Sequence, residues 1–244
     1  MSNRIFYRAG ESFDIQMFTS EQLAQQYQKF LEDKLHIATL TGLDVQDDDI
    51  HPALRTEPFC HQGAIVKWAL RGGNRLIGAQ FGLGKTTMQS EIVRQVHRLT
   101  GLPTLIIGEL NVRHQFMQKD GPRIGIQFQY VTCDADIENA TTPFLYTNYE
   151  RVRDGGISPD CLKRFVCVCL DEASVLADYG NKTFQTFCDL FRDTQYKFCA
   201  SATPARNKYK ELLHYAHFLG IADYGQGLTR YFKRNSTQAN ELTL

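Results

Sequence analysis

Ala79-Gln80-Phe81-Gly82-Leu83-Gly84-Lys85-Thr86 is the stretch that decides how this chain of 244 residues reads. It follows the short apolar run Leu76-Ile77 and precedes a segment in which Met88, Ile92, Val93 and Val96 recur on one helical face. A glycine-rich turn between a strand and a helix lets successive backbone N–H groups curl around an anion, and the helix adds the positive end of its dipole. Lys85 then supplies an ammonium and Thr86 a metal-ligating hydroxyl, as a phosphate-binding loop (Walker A) requires. The general pattern begins with Gly where this chain has Ala79. Gly82 and Gly84 as plain turn residues are the competing reading, and the strand-before, helix-after context counts against it. Ala79, Gln80, Phe81, Gly82, Leu83, Gly84, Lys85, Thr86 and Thr87 are therefore expected to hold a nucleoside triphosphate.

Working outward, the chain alternates. Residues 61–70 read as a helix closed by Gly72-Gly73, 75–79 as a short strand, and the segment after Lys85 as a helix stopping at Gly101. Strands follow at 105–107, 124–132, 144–147, 165–170 and 196–200, with helices at 111–119, 182–191 and 208–219. The run Phe165-Val166-Cys167-Val168-Cys169-Leu170 is apolar throughout, as a parallel strand covered on both faces must be. This predicts an α/β, P-loop NTPase three-layer sandwich with a mainly parallel central sheet and ligands at the carboxyl ends of its strands. Residues 1–50 read as a helical N-terminal extension, with Leu23, Tyr27, Phe30 and Leu31 at helical spacing after Ser20, and a connector rich in acids and turn residues. Residues 51–220 form the main domain, and 221–244 a tail expected to be weakly ordered without a partner.

Composition is that of an ordinary globular protein. No apolar run approaches a bilayer span, and the start Met1-Ser2-Asn3-Arg4 lacks a signal-peptide core, so a cytoplasmic location and no membrane partner are expected. The seven cysteines, with no paired C-x-x-C, read as buried thiols rather than disulfides or a zinc site. Formal net charge is zero, so any contact with nucleic acid must be local. Two basic clusters, Arg206-Asn207-Lys208-Tyr209-Lys210 and Arg230-Tyr231-Phe232-Lys233-Arg234, are either solvated faces or places for a phosphate backbone.

Beyond the loop, three further groups carry chemistry. The strand 165–170 runs into Asp171-Glu172. Adjacent carboxylates at the end of a buried strand are costly unless they hold a cation or do acid/base work. With Thr86, Asp171 is the expected Mg²⁺ residue, and Glu172 the general base that activates water. The strand 196–200 ends in Ser201-Ala202-Thr203-Pro204, whose small hydroxyl residues are placed to sense the acidic pair. Gln62, in the first turn of the helix before the loop, carries a planar amide able to read an adenine edge with two hydrogen bonds.

In this order the pieces resemble the first RecA-like domain of superfamily-two DEAD/DEAH-box helicases and Swi/Snf-like ATPases, over roughly residue 50 to the end. The form A-x-x-G-x-G-K-T is that superfamily's variant of the loop. Thr147-Asn148-Tyr149-Glu150, Leu170-Asp171-Glu172-Ala173-Ser174-Val175-Leu176 and Phe232-Lys233-Arg234-Asn235-Ser236 look more closely like helicase-like proteins of phages and prophages, often found beside DNA methyltransferases. The resemblance implies ATP and Mg²⁺ as cofactors and DNA, ahead of RNA, as partner. It implies nucleic-acid contacts at Asn111, Arg113, His114, Thr147, Asn148 and Tyr149, and coupling through Ser201, Ala202 and Thr203. Ser174 replaces the Asp or His of the named boxes, which weakens the expected coupling there.

The expected function is an ATP-binding motor domain of a DNA helicase or translocase. Its turnover alone should be weak, because no second RecA-like domain is recognisable and an arginine in cis or trans must complete the site. A truncated piece, a split gene product and a shortened prophage remnant remain open. The alternative, of a different class, is an ATP-binding or scaffold module that needs a partner domain, or a methyltransferase, and does not turn over ATP alone. A small-molecule kinase also uses such a loop, but the ordered Asp-Glu and Ser-Ala-Thr motifs weigh against it.

Overall fold

The computed structural model describes residues 41–205 and 208–232. The helix expected over 19–35 and the last residues of the tail lie outside them. Among the described residues no helix is long and apolar enough to cross a membrane.

The chain enters through two 3₁₀ turns, Asp47–Asp49 and Pro52–Leu54, and then forms helix α1 (Cys60–Gly72) and strand β1 (Arg75–Gly78). Gly73, at φ 84°, turns the chain between them. Helix α2 (Lys85–Thr100) follows the glycine-rich loop and ends at Gly101, φ 71°, whose N–H caps the carbonyl of His97. Strand β2 (Thr104–Gly108) leads into the irregular helical segment α3, in which α turns at Arg113–Gln115 and Gly121–Arg123 flank a π turn at Phe116–Asp120. Then come β3 (Gln129–Tyr130), α4 (Asp134–Glu138), β4 (Phe144–Asn148), α5 (Tyr149–Arg153), α6 (Pro159–Leu162) and β5 (Cys167–Asp171). After a 3₁₀ turn at Ala173–Leu176 the chain closes with α7 (Lys182–Leu190), β6 (Tyr196–Ser201), α8 (Glu211–Phe218) and α9 (Tyr224–Tyr231).

All pairings are parallel, in the order β1-β6-β5-β2-β4-β3. The period of two in each strand divides the core into two halves. Ile106, Tyr146, Cys167, Cys169, Phe198 and Ala200 pack on one face with Met88, Ile92 and Val96 of α2. Leu105, Ile107, Leu145, Val168, Leu170 and Cys199 pack on the other with Phe184 and Phe187 of α7 and Phe218 of α8. Both faces are thus covered, which is why β5 had to be apolar along its length. Cys161, Cys167, Cys169 and Cys199 are buried free thiols as expected, whereas Cys60 is exposed.

Three expectations are revised. The strand read over 124–132 shrinks to Gln129–Tyr130, because Ile124, Ile126 and Phe128 enter the core from an irregular run beside Gly121 and Phe116. The stretch after Gly220, expected to be loosely ordered, holds α9, whose Gly227 lies against Leu213 of α8 so closely that a Cβ would come within 2.7 Å of it.

Finally, the connector is part of the core rather than a loose lead-in: Ile50 and Leu54 are buried, and its backbone is pinned to α2. Glu91, with no exposed surface, takes a two-pronged ion pair from Arg94 (2.7 Å) and hydrogen bonds from the His51 N–H (3.0 Å) and Gln95 (2.7 Å). Arg94 and Gln95 both donate onward to the Asp49 carbonyl. Glu91→Ala should therefore lower stability by about 3 kcal/mol, the cost of stranding the partners of a buried ion pair, and should expose 41–58 to protease before the sheet opens. Urea unfolding combined with limited proteolysis measures both.

Candidate functional site

The strand register builds one edge. Gly78 is level with Ser201, Ala200 with Asp171, Leu170 with Ile107, and Gly108 with Asn148. The loops leaving β1, β6, β5, β2 and β4 therefore start side by side at the carboxyl end of the sheet. The Ala79 N–H extends the β1–β6 ladder by donating to the Ser201 carbonyl (3.2 Å), so the glycine-rich loop departs directly beside β6.

Within the loop Gly82 (φ 83°) and Gly84 (φ 81°) occupy the left-handed region, where side chains other than Gly are strained. Gly82 has open space where a Cβ would stand, whereas a Cβ on Gly84 would lie 2.2 Å from Gln62 Nε2. No side chain caps the N-terminus of α2, so its first N–H groups face the loop with no side-chain acceptor. The Lys85 ammonium folds back onto the carbonyls of Ala79 (3.0 Å) and Gln80 (3.4 Å) and sits 4.8 Å from the Phe81 ring centre. A cation whose hydrogen bonds go to neutral carbonyls is a ready partner for an anion. Phe81, 79% exposed, and Leu83 stand out from the loop into solvent.

Across β6 lies the acidic pair. Asp171 is buried and accepts a 2.6 Å hydrogen bond from Gln89 Nε2, while the Tyr149 hydroxyl donates to the Asp171 carbonyl (2.8 Å). Gly108 lets β2 come close: a Cβ there would be 3.2 Å from the Asp171 Cβ. Burial, outweighing the Gln89 hydrogen bond and the attraction of Lys85, raises the Asp171 pKa to about 6. A carboxylate so short of positive charge suits a divalent cation, and with Thr86, buried in the first turn of α2, it forms the donor set that would hold Mg²⁺. Glu172 stands at φ 48°, a left-handed conformation found at no other non-glycine described residue. Such strain is kept where surrounding structure imposes it. Ser201 Oγ donates to Glu172 Oε1 (2.8 Å) and in turn accepts from the Thr203 N–H (3.1 Å). The strand-end hydroxyl thus meets Glu172 directly.

Gln62 is buried against the loop rather than free on a surface. Its Nε2 donates to the Leu83 carbonyl (3.2 Å) and its Oε1 has no hydrogen-bond partner. Thr87, expected to face a nucleotide, has its hydroxyl committed to the Asp120 carboxylate instead.

The residues singled out for nucleic acid divide. Asn111 and His114 are exposed, and Arg113 is half-buried with its guanidinium 4.6 Å over the Tyr130 ring. Asn148 joins the same group, accepting from the Tyr130 hydroxyl (2.9 Å) and donating to Glu150 (2.5 Å). Thr147 and Tyr149, however, point inward: Thr147 has no exposed surface and donates to the Val131 carbonyl (2.8 Å), and Tyr149 supports Asp171 and packs on Phe187. Asn148 is buried as well, because both faces of β4 are covered, so only Asn111, His114 and the half-buried Arg113 and Tyr130 of this group reach the surface. The sequence reading missed Tyr130, whose only signal was an aromatic next to the end of a short edge strand. It also missed the bond between Gln89 and Asp171, which joins residues 82 positions apart. In the basic clusters Lys208 and Tyr209 are exposed, and Lys210 lies 5.9 Å from the Phe232 ring centre.

Among solved structures the fold is similar to the Sulfolobus solfataricus SWI2/SNF2 ATPase core in complex with dsDNA, with a TM-score of 0.62 and 20% identity over 78% of this chain and 41% of that one. It is also similar to the UvsW helicase from bacteriophage T4, with a TM-score of 0.59 and 15% identity over 84% of this chain and 80% of that one. The chain thus spans less than half of the Sulfolobus protein. No family model matches it, and no curated protein is detectably similar in sequence. The architecture is an α/β, RecA-like fold, shared with these structures.

Because burial favours the neutral acid, the folded protein keeps a proton on Asp171 between the ordinary 3.8 and about 6, where the unfolded chain has lost it. Stability from this residue therefore falls as pH rises through that window, and the full cost is present at neutral pH. Asp171→Asn should raise stability by about 2 kcal/mol near pH 7, roughly 4–8 °C in Tm for a chain of this size, and by little near pH 4. Thermal melts at the two pH values test the sign.

Proposed function

We propose that this chain is the ATP-binding motor domain of a helicase or translocase, hydrolysing ATP with Mg²⁺ and coupling that to nucleic acid, DNA before RNA. The observation that carries the reading is the level alignment of β1, β6 and β5. It gathers the Lys85 loop, the Ser201 hydroxyl and the Asp171-Glu172 pair on one edge of a helicase-type fold.

In this reading the N–H groups of 82–86 and the Lys85 ammonium bind the triphosphate, with Lys85 exchanging its carbonyl partners for phosphate oxygens. Thr86 and Asp171 would hold Mg²⁺, and the ion would supply charge neutralisation at the phosphates. Glu172, fixed by Ser201, accepts the proton of the attacking water; the Ser201–Thr203 turn reports the state of that carboxylate to β6. Gln62, held by its amide nitrogen against the loop, turns its unsatisfied carbonyl oxygen to the adenine amino group. Asn111, Arg113 and His114 form, with Tyr130, the edge offered to a nucleic-acid backbone, and the buried Asn148 anchors the Tyr130 hydroxyl. A second RecA-like domain, in cis or trans, supplies the opposite wall of the site and its arginine, so turnover by this domain alone is slow. The phage-type motifs make a phage or prophage helicase, working beside a DNA methyltransferase, the favoured setting.

Two experiments test the chemistry. Lys85→Ala should weaken binding of a fluorescent ATP analogue by at least about tenfold while the fold persists, and the wild type should prefer it to the GTP analogue. Equal affinities across both proteins and both nucleotides would remove the loop from the site. Glu172→Gln should keep nucleotide binding and lose turnover by roughly a hundredfold or more, because the amide keeps the shape and loses the basicity. A variant hydrolysing ATP as fast as wild type would show that Glu172 is not the base.

A further inference from the structure

A second buried carboxylate lies behind the loop, on a residue that no motif covers. Asp120, 8% exposed, ends the π turn of α3. One of its oxygens takes the hydroxyl hydrogen of Thr87, itself 2% exposed in the first turn of α2, and the other takes the Nε2 of Gln115 at 3.0 Å. Among the described residues it has no cation within ion-pair distance, so two neutral donors carry the whole cost of burying this charge. Hydrogen bonds to an ionised acceptor are about twice as strong as neutral ones, which makes the Thr87–Asp120–Gln115 bridge a stiff tie. The π turn is what closes it, since the extra residue in the turn sets Gln115 and Asp120, five positions apart, on the same carboxylate.

The two ends of this tie are unlike. Thr87 is two residues from Lys85 and moves with the N-terminus of α2. Gln115 is two residues from Arg113 and one from His114, on the edge with Asn111 and Tyr130. We infer that Asp120 is a positioning residue that passes a change at the glycine-rich loop to the segment 111–123 through Thr87 and Gln115. The inference rests on the reading that the loop takes a nucleotide, and it names the route by which that event reaches the nucleic-acid edge without help from a second domain. The alternative, a tie that merely holds two helices together, gives the same stability loss on mutation but no dependence on nucleotide.

Hydrogen exchange of the intact chain, with and without Mg²⁺ and a slowly hydrolysed ATP analogue, separates the two. The wild type should slow at 79–87 and change at 111–123. Thr87→Ser keeps the hydroxyl and should respond in the same way. Thr87→Val should retain the change at 79–87 and lose most of that at 111–123, at least about threefold in the exchange ratio. Gln115→Met, on an exposed side chain with the buried pair left intact, serves if the valine variant does not fold, and should lose the response at 111–115. A valine or methionine variant responding like wild type, or a wild type responding at 79–87 alone, overturns the inference while leaving nucleotide binding standing. A wild type with no response at 79–87 overturns the nucleotide reading and the inference with it.

Discussion

Everything at the carboxyl edge depends on parallel register. Because Gly78 pairs with Ser201 and Ala200 with Asp171, three chain segments far apart in sequence end level with one another, and β6 stands between the loop strand and the acidic strand. The hydrogen-bond ladder sets these levels to within a fraction of a residue, and a slip of one position would send Asp171 to the opposite face. Ser201 reaches Glu172 only because β6 is the strand next to β5. The helices packed on both faces hold the register by burying alternate side chains of every central strand.

Burial of carboxylates recurs around the loop in three forms. Glu91 is matched by Arg94 and serves architecture, pinning the entering chain to α2. Asp120 is matched by two neutral donors and joins α2 to α3. Asp171 is matched by one amide, with burial dominating its proton affinity. The three lie on or against α2 and tie it in turn to the entering chain, to α3 and to the end of β5. A folded chain tolerates an under-compensated carboxylate such as Asp171 only as a local loss of stability.

The group around Tyr130 is already internally paired: Arg113 stacks on Tyr130, and Asn148 bonds both Tyr130 and Glu150, so any ligand docking there must displace these contacts.

The sequence by itself determined the architecture and which polar residues stand at the strand ends. An apolar run such as 165–170 can only be a covered parallel strand, and Ala79–Thr86 between a strand and a helix is short-range information that neighbouring residues suffice to specify. It overreached at 124–132, where alternation came from an irregular run entering the core, and at Thr147 and Tyr149, where position relative to a motif was mistaken for direction of a side chain. Only the tertiary structure decided which groups touch. The bonds from Gln89 to Asp171, Ser201 to Glu172, Thr87 to Asp120 and Gln62 to Leu83 join residues 82, 29, 33 and 21 positions apart. No periodicity encodes such pairs, because they follow from strand order, from the π turn at 116–120, and from the close approach that Gly84 and Gly108 allow.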